Sequence, residues 1–269
     1  HLRPEMRYQK EKIEARDNGR VKEYAKIASS RKQREESGLF AIEGVKLLGE
    51  ALRCGIEVEQ VFVTAQCFKS YGELAPMLEK CPRVFEISGA VEGKISQSQS
   101  PQGVYALCKR LDKRENMVKI DSNGSYLALW DLQDPGNVGT ILRGADAMGL
   151  SGVILSRSCC DLYNLKTIRA AMGSLFRVPV LVTDMEEFLR ESGLRSYAAV
   201  VSPDAQNAAG MDFSGAVVVI GNEGNGLSEE QAATCDTPIT IPMRGNAESL
   251  NAAMAATIFM WEMARGKII

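Results

Sequence analysis

From residue 126 onward, apolar runs with almost no polar interruption alternate with segments of helical spacing, and this alternation constrains the fold more than any other feature. Residues 126–132, 152–156, 197–202 and 216–220 are apolar at nearly every position. A strand that must hide both faces belongs in a mainly parallel sheet covered by helices on each side. The intervening stretches read as helices: from the loop at 133–137 to Gly149, over 165–176, over 184–193 and over 249–265. Residues 178–182 read as a strand or an extended arm, and 238–242 as a further strand. Asp184 with Glu187, and Ser228 with Gln231, have the spacing of a capping box.

The first part of the chain reads as a smaller α/β domain over 35–109. Its strands are 39–44, 58–63, 84–87 and 104–108. One helix buries Val45, Leu47, Leu48, Ala51 and Leu52 and closes near Gly55; another includes 71–78. Residues 110–124 pass from charged residues into Asp121-Ser122-Asn123-Gly124, as a linker does. Residues 1–34 read as a helical basic extension, weakly anchored by Met6, Ile13, Val21, Tyr24 and Ile27. Residues 29–34 read as an exposed basic turn. The domain from 125 to 269 follows the linker.

Charge is near balance overall, with 32 basic and 34 acidic residues, but the first 34 residues hold 11 basic and 5 acidic. A polyanionic partner would be steered to that end, with Arg31, Lys32 and Arg34 as candidate contacts. The competing reading is a solvated helix whose charges serve solubility. There is no run of 18 apolar residues, which excludes a membrane-spanning helix. Charge from Arg3 onward argues against a signal peptide, and His1 reads as the remnant of a processed or tagged start. A single histidine speaks against histidine-based catalysis and against a histidine-rich metal site. The seven cysteines are irregularly spaced, with only Cys159 and Cys160 adjacent. They read as free thiols in a reducing cytoplasm, with no metal expected.

Four loops after strands carry the functional signal, because ligands in open α/β sheets bind beyond the carboxyl ends of the strands. In Asp134-Pro135-Gly136-Asn137-Val138-Gly139-Thr140-Ile141-Leu142-Arg143, a helix N-terminus is joined by an arginine fork suited to a phosphate or ribose edge. Alternatively, Asn137 is only an N-cap and Arg143 a surface charge. In 164–174, Lys166 and Arg169 share a helix face beside Ala170, Ala171 and Gly173, or they form the charged outer side of a packed helix. Gly221-Asn222-Glu223-Gly224-Asn225-Gly226 holds three glycines in six residues, which indicates special dihedrals or close backbone approach. It is neither the dinucleotide fingerprint nor a Walker loop. In 241–251, Ser249 reads as a helix cap, and Asn251, deeper in, requires another partner. Ile241, Met243 and Leu250 are suited to bracket a flat ring. Met254, Ile258 and Trp261 have helical spacing and read as core.

At these four loops, in this order, the sequence resembles the SpoU-type, or TrmH-type, RNA ribose methyltransferases of the SPOUT superfamily. Ile42-Glu43-Gly44 and Ser100-Pro101-Gln102-Gly103 also resemble the substrate-binding domain that precedes the catalytic domain in many members. The resemblance spans roughly residues 25–266. One departure is Leu165, where members commonly carry proline. The resemblance implies a trefoil knot at the C-terminal end of the catalytic domain, a homodimer with its active site completed across the interface, and S-adenosylmethionine as cofactor. It implies methyl transfer to a ribose 2′-hydroxyl in RNA, with Arg143 central and Asn137, Glu223, Ser249 and Asn251 around it. Ser202, Gly221, Asn222, Ile241, Met243 and Leu250 are implied to hold the cofactor, and Lys166 and Arg169 to hold RNA phosphates. The N-terminal domain points to 23S ribosomal RNA as substrate. Alternatives are a transfer RNA ribose methyltransferase, or an RNA-binding ribosome-assembly factor that has lost catalysis. A nicotinamide-dependent enzyme is disfavoured by the missing fingerprint.

Overall fold

The computed structural model describes residues 10–96, 98–111 and 119–268. His1, the start of the expected basic extension and residues 112–118 of the expected linker lie outside the described residues. The chain forms two compact units, one of residues 1–111 with 163–168, the other of 112–162 with 169–269.

In the N-terminal unit the elements run β1 (Lys10–Ile13), α1 (Gly19–Ser29), α2 (Arg31–Ser37), β2 (Leu39–Glu43), α3 (Val45–Arg53), β3 (Val58–Thr64), α4 (Ala65–Ser70), α5 (Leu74–Leu78), β4 (Val84–Ile87), α6 (Gly89–Ile95) and β5 (Val104–Lys109). The sheet order is β1-β4-β3-β5-β2; β1, β4 and β3 are parallel, and β5 runs against both its neighbours. The described part of the expected helical extension is divided. Its first described stretch adds to the sheet edge beside β4, and Asp17-Asn18-Gly19 then turns the chain, with Asn18 accepting the Arg20 N–H at 2.9 Å to cap α1. Val21, Tyr24, Ile27 and Ala28 of α1 are buried in the unit's core. There Tyr24 meets Phe62 and Tyr105 edge-on at 5.6 and 5.9 Å, Phe62 stacks on Phe85 at 5.4 Å, and the Tyr24 hydroxyl donates to the Ile42 carbonyl.

The expected basic turn is α2. Ser30 caps it, and Gly38 ends it at φ 69°, in the left-handed region that glycine enters without strain. Arg34 is not available to RNA. It is 4% exposed, and its Nη1 donates to the carbonyls of Ile27 and Ala28 at 2.9 and 3.2 Å, satisfying the end of α1. Arg31 and Lys32 stay at the surface and pair with Glu35 and Glu36 one turn on. Residues 163–168 join the same core: Leu165 is buried in it, and Tyr163 packs on Phe40 at 4.7 Å, accepts the Leu111 N–H at 2.9 Å and lies under the Arg110 guanidinium.

From residue 125 onward the order is β6 (Ser125–Leu129), α7 (Pro135–Met148), β7 (Gly152–Ser156), α8 (Leu165–Ala171, whose first four residues belong to the N-terminal unit), β8 (Val180–Thr183), α9 (Met185–Glu191), β9 (Arg195–Ala199), β10 (Gln206–Asn207), β11 (Ala216–Ile220), α10 (Glu229–Ala233), β12 (Thr237–Thr240) and α11 (Ala252–Ile268). The seven strands are all parallel in the order β10-β12-β9-β11-β6-β7-β8. β6 and β11 form the central pair, and every residue of each is buried. The helix expected over 165–176 stops at Ala171, where Met172 (φ 51°) and Gly173 (φ 89°) turn left-handed before a 3₁₀ turn at Ser174–Phe176.

α11 buries Ala252, Ala253, Ala256, Phe259, Met260, Met263 and Ala264. Its contact with α7 is close at Gly144, where an added Cβ would fall 2.7 Å from the Met260 Cε. The small residues of these two helices thus pack within the chain. Met254, Ile258 and Trp261 do not join the core as their spacing predicts: they are 56%, 38% and 46% exposed. Their period marks one apolar side of a helix whose other side already fills the interior. Among the described residues no helix is long and apolar enough to cross a membrane, and no cluster of three or more potential ligands is present for a metal.

Replacing Arg34 by leucine leaves two helix-end carbonyls without their charged donor. Arg34→Leu is expected to cost about 1.5–3 kcal/mol, the range for hydrogen bonds to charged groups. Urea unfolding of the full chain, followed through the tyrosines of the N-terminal unit, measures it; an unchanged midpoint would remove the capping role.

Candidate functional site

A cavity of about 470 Å³ opens beyond the carboxyl ends of β11 and β12. One wall is the turn 221–226. The Gly226 N–H donates to the Asn222 carbonyl at 2.8 Å, and Asn222 Oδ1 accepts the N–H groups of Gly224 and Asn225 at 2.8 and 3.2 Å. Gly221 is required by space: a Cβ there would lie 2.3 Å from Gly226 C and Leu227 N. The remaining walls include Ile220, Leu227, Ile241, Met243, Glu248, Ser249 and Leu250, with Val200 and Val201 after β9.

Of the six residues expected at the cofactor, Gly221, Asn222, Ile241, Met243 and Leu250 line this cavity. Ser202 lies just beyond the lining stretch, and its Oγ accepts the Asp204 N–H at 3.2 Å. Glu223 and Ser249 also line the cavity. Glu223 Oε1 accepts the N–H groups of Gln133 (2.6 Å) and Asp134, so the carboxylate holds the loop that begins α7. Its Oε2 is buried and has no hydrogen-bond partner among the described residues.

The cap of α7 is Asp134 rather than Asn137. Its carboxylate accepts the N–H groups of Gly136 and Asn137, and Pro135 follows at the first helical position, where a missing N–H costs nothing. α11 likewise starts later than expected. Asn251 is itself the cap, with Oδ1 accepting the N–H groups of Ala253 and Met254 at 2.8 and 3.1 Å. Its Nδ2 donates to Asn137 Oδ1 at 3.2 Å, so the two asparagines join the starts of α7 and α11. The later start leaves Ser249 in the cavity wall and out of the helix.

Arg143 is exposed on α7 and is not among the lining residues of the cavity. One turn on, Asp146 accepts from Ser174 Oγ at 2.9 Å and from Arg177 Nε and Nη2 at 3.0 and 2.9 Å, which ties α7 to the turn after α8. Lys166 and Arg169 are exposed on α8. Sequence reasoning missed Asp146, Glu248 and Asp131. Asp131 had one local sign, an acid inside the otherwise apolar run 126–132; Glu248 had its place beside Ser249; Asp146 had none.

The cavity suits an aromatic ring between aliphatic side chains, since Ile220, Leu227, Ile241 and Leu250 all line it. It also has carboxylates, Glu223 and Glu248, and no lysine or arginine among its lining residues. That balance favours a ligand with a positive centre. The orphan Glu223 Oε2 requires a donor that the described residues do not supply.

Residues 124–261 match the model of the SpoU rRNA Methylase family, and residues 18–106 match that of the MRM3-like substrate binding domain. The chain is 30% identical to the 23S rRNA (guanosine(2553)-2′-O)-methyltransferase RlmP of Bacillus subtilis strain 168, over 93% of this chain and 98% of that one. It is also 30% identical to the 23S rRNA (uridine(2479)-2′-O)-methyltransferase of Streptomyces viridochromogenes, over 93% and 91%. A crystal structure of an AdoMet-bound rRNA methyltransferase from Sinorhizobium meliloti superposes with a TM-score of 0.85 at 30% identity, covering 97% of this chain and all of that one.

Gly221→Ala pushes a methyl group into the backbone of its own turn. S-adenosylmethionine affinity is expected to fall by about 100-fold, as for a displacement near 1 Å. Isothermal titration calorimetry, with circular dichroism to confirm the fold, measures it; near-normal affinity would show that the turn can move aside.

Proposed function

This chain belongs to the SpoU rRNA methylase family and is an S-adenosylmethionine-dependent RNA ribose 2′-O-methyltransferase; from that premise we propose that its substrate is 23S ribosomal RNA and that it acts as a homodimer in the cytoplasm. The observation that carries the site assignment is the cavity walled by the 221–226 turn and by Ile241, Met243 and Leu250, with carboxylates and no cation. When bound, S-adenosylmethionine supplies a methyl group already activated by a sulfonium. The protein must hold the ribose oxygen in line with that group and ease the loss of its proton. The trefoil knot expected of the fold would involve the segments at 220–226 and 240–251, the same ones that wall the cavity.

Arg143 acts as a donor. A guanidinium has no acceptor and stays charged, so it steadies the developing alkoxide and the neighbouring phosphate rather than taking the proton. Asn137 and Asn251, bonded to each other, fix the start of α7 against the start of α11. Glu223 holds the loop ahead of α7 through Oε1, and its buried Oε2 remains an acceptor without a partner among the described residues. Ser249 completes the polar wall. Lys166, Arg169, Arg31 and Lys32 are the RNA contacts retained from the sequence; Arg34 is withdrawn because it is buried.

Two observations support a second copy. Arg143 stands outside the cavity of its own chain, and Met254, Ile258 and Trp261 form an exposed apolar ridge on α11. A two-fold partner covering that ridge would bring one chain's Arg143 to the other chain's cavity. Two relatives modify 23S rRNA, which supports that substrate over transfer RNA.

Transfer of labelled methyl into ribosomal RNA and transfer RNA, kept separate and taken from cells lacking this protein, tests the substrate. Label is expected in the large-subunit RNA and is expected to fall by about 1,000-fold with Arg143→Ala, the scale for losing a donor to developing charge. Label confined to transfer RNA would overturn the substrate and keep the chemistry. Trp261→Glu is expected to convert the dimer to a monomer by light scattering and to abolish transfer. Mixing Arg143→Ala with Gly221→Ala chains, each strongly impaired alone when S-adenosylmethionine is kept too dilute to saturate the Gly221→Ala cavity, is expected to restore activity through mixed dimers; no restoration would place arginine and cavity in one chain.

A further inference from the structure

Asp131 follows β6 at φ 62°, a left-handed conformation that non-glycine residues seldom adopt. Every polar group it has is engaged, and the partners come from separate parts of the C-terminal unit. Its N–H donates to Ser156 Oγ at the end of β7, at 3.0 Å. Its Oδ1 accepts the Ser158 hydroxyl. Its Oδ2 accepts Gln231 Nε2 on α10 at 2.9 Å. Its carbonyl accepts Asn222 Nδ2 at 2.9 Å, and Asn222 is the residue whose Oδ1 shapes the turn that walls the cavity. Gln231 is itself fixed, since its Oε1 accepts the Ser228 N–H at 3.0 Å in a capping box. Two residues after Asp131, Gln133 gives its N–H to Glu223 and its side-chain amide to the Ser158 carbonyl.

We propose that Asp131 is a positioning residue for methyl transfer, a keystone that holds the turn 221–226 and the loop leading to Arg143 at a fixed spacing. It lies outside the cavity lining, so it acts through Asn222 and through the 133–134 loop rather than on the reacting atoms. The left-handed backbone aims its carbonyl at Asn222, and the carboxylate holds that backbone by anchoring to Ser158 and Gln231. This inference rests on the reading that the cavity takes S-adenosylmethionine.

The test is a polarity swap. Asp131→Asn keeps the shape and tolerates the left-handed backbone, but it sets an amide NH₂ against the Gln231 NH₂. Adding Gln231→Glu restores a donor–acceptor pair in the reverse sense, and glutamate at that position still completes the capping box. Three quantities are measured for the single variants and the pair: S-adenosylmethionine affinity by calorimetry without RNA, kcat and RNA KM for transfer, and Tm. Asp131→Asn is expected to weaken cofactor affinity and to lower kcat, each by about 10-fold, a tenth of the loss assigned to a full ångström of misplacement. RNA KM should stay unchanged and Tm nearly so. The pair should recover most of both losses, while Gln231→Glu alone, which sets its carboxylate against that of Asp131, should show losses of its own. Unchanged affinity and kcat in Asp131→Asn, a fall in Tm alone, or no recovery in the pair would each overturn the proposal. Failure of the unaltered protein to bind S-adenosylmethionine would instead overturn the reading beneath it, and the inference with it.

Discussion

The C-terminal unit depends on β6 and β11 lying in parallel register, Ser125 against Ala216 through Leu129 against Ile220. Two parallel strands that are buried on both faces must end at the same level, and their chains must leave by different routes. The chain leaving β6 runs to α7; the chain leaving β11 folds back on itself through Gly221 and Gly226. Beyond Trp130, whose N–H still donates to the Ile220 carbonyl, the ladder cannot continue. The peptide groups beyond that point must be satisfied by side chains. Glu223 takes two N–H groups of the β6 loop, Asn222 donates to the Asp131 carbonyl, and Ser156 receives the Asp131 N–H. Because side chains meet this requirement on one side of the crevice, the backbone of 221–226 is left to face the cavity. The polar residues around the cavity are therefore first the terminators of two strands, and the ligand site is built on that termination.

The N-terminal unit meets its own constraint with aromatic packing. Tyr24, Phe62, Phe85 and Tyr105 sit together in the core, and Tyr24 comes from the segment whose charge is highest. That segment does two things. Its apolar stripe of Val21, Tyr24, Ile27 and Ala28 completes the core, while most of its cations face outward. Arg34 is the exception, and its position follows from helix geometry. Ile27 and Ala28, near the end of α1, are buried and their carbonyls lack a partner within the helix, so a donor from the next helix is drawn in.

The fold was largely legible because fully buried parallel strands announce themselves as uninterrupted apolar runs; β6, β7 and β11 were readable for that reason. β1 was not, since Lys-Glu-Lys-Ile carries one apolar residue and its strand character comes from β4 beside it. The four loops could be singled out because small and polar residues follow apolar strands there. Their internal roles were harder to read, because one residue type serves several ends. Asn137 could be read as an N-cap and Asn251 as a helix residue needing another partner; in the structure Asn137 is inside its helix, Asn251 is the cap, and they bond to each other. Glu223 looked like a partner for arginine, and its nearest donors are backbone N–H groups, which leave no trace in a sequence. Periodicity marked Met254, Ile258 and Trp261 as one side of α11 but carried no information on what covers that side.

The placement of charge in the C-terminal unit follows from two opposed demands. A cationic sulfonium is best held where carboxylates and backbone dipoles dominate, and a nearby guanidinium would oppose its binding. A ribose oxygen losing its proton next to phosphates requires a cation close at hand. The unit keeps these apart. Glu223 and Glu248 are in the cavity wall, and the arginines of α7 and α8 are outside it. Asp146, bonded to Ser174 and Arg177, locks α7 one turn beyond Arg143, so this arginine projects from a helix that is fixed near its end. A cation held rigidly outside its own cavity cannot disturb the cofactor there. On the proposed dimeric reading it meets the cavity of a second copy, in a geometry set by the packing of the two chains. On the dimeric reading, assembly is thus what reconciles the two demands: cofactor binding is a property of one chain, and stabilisation of the reacting oxygen is a property of two.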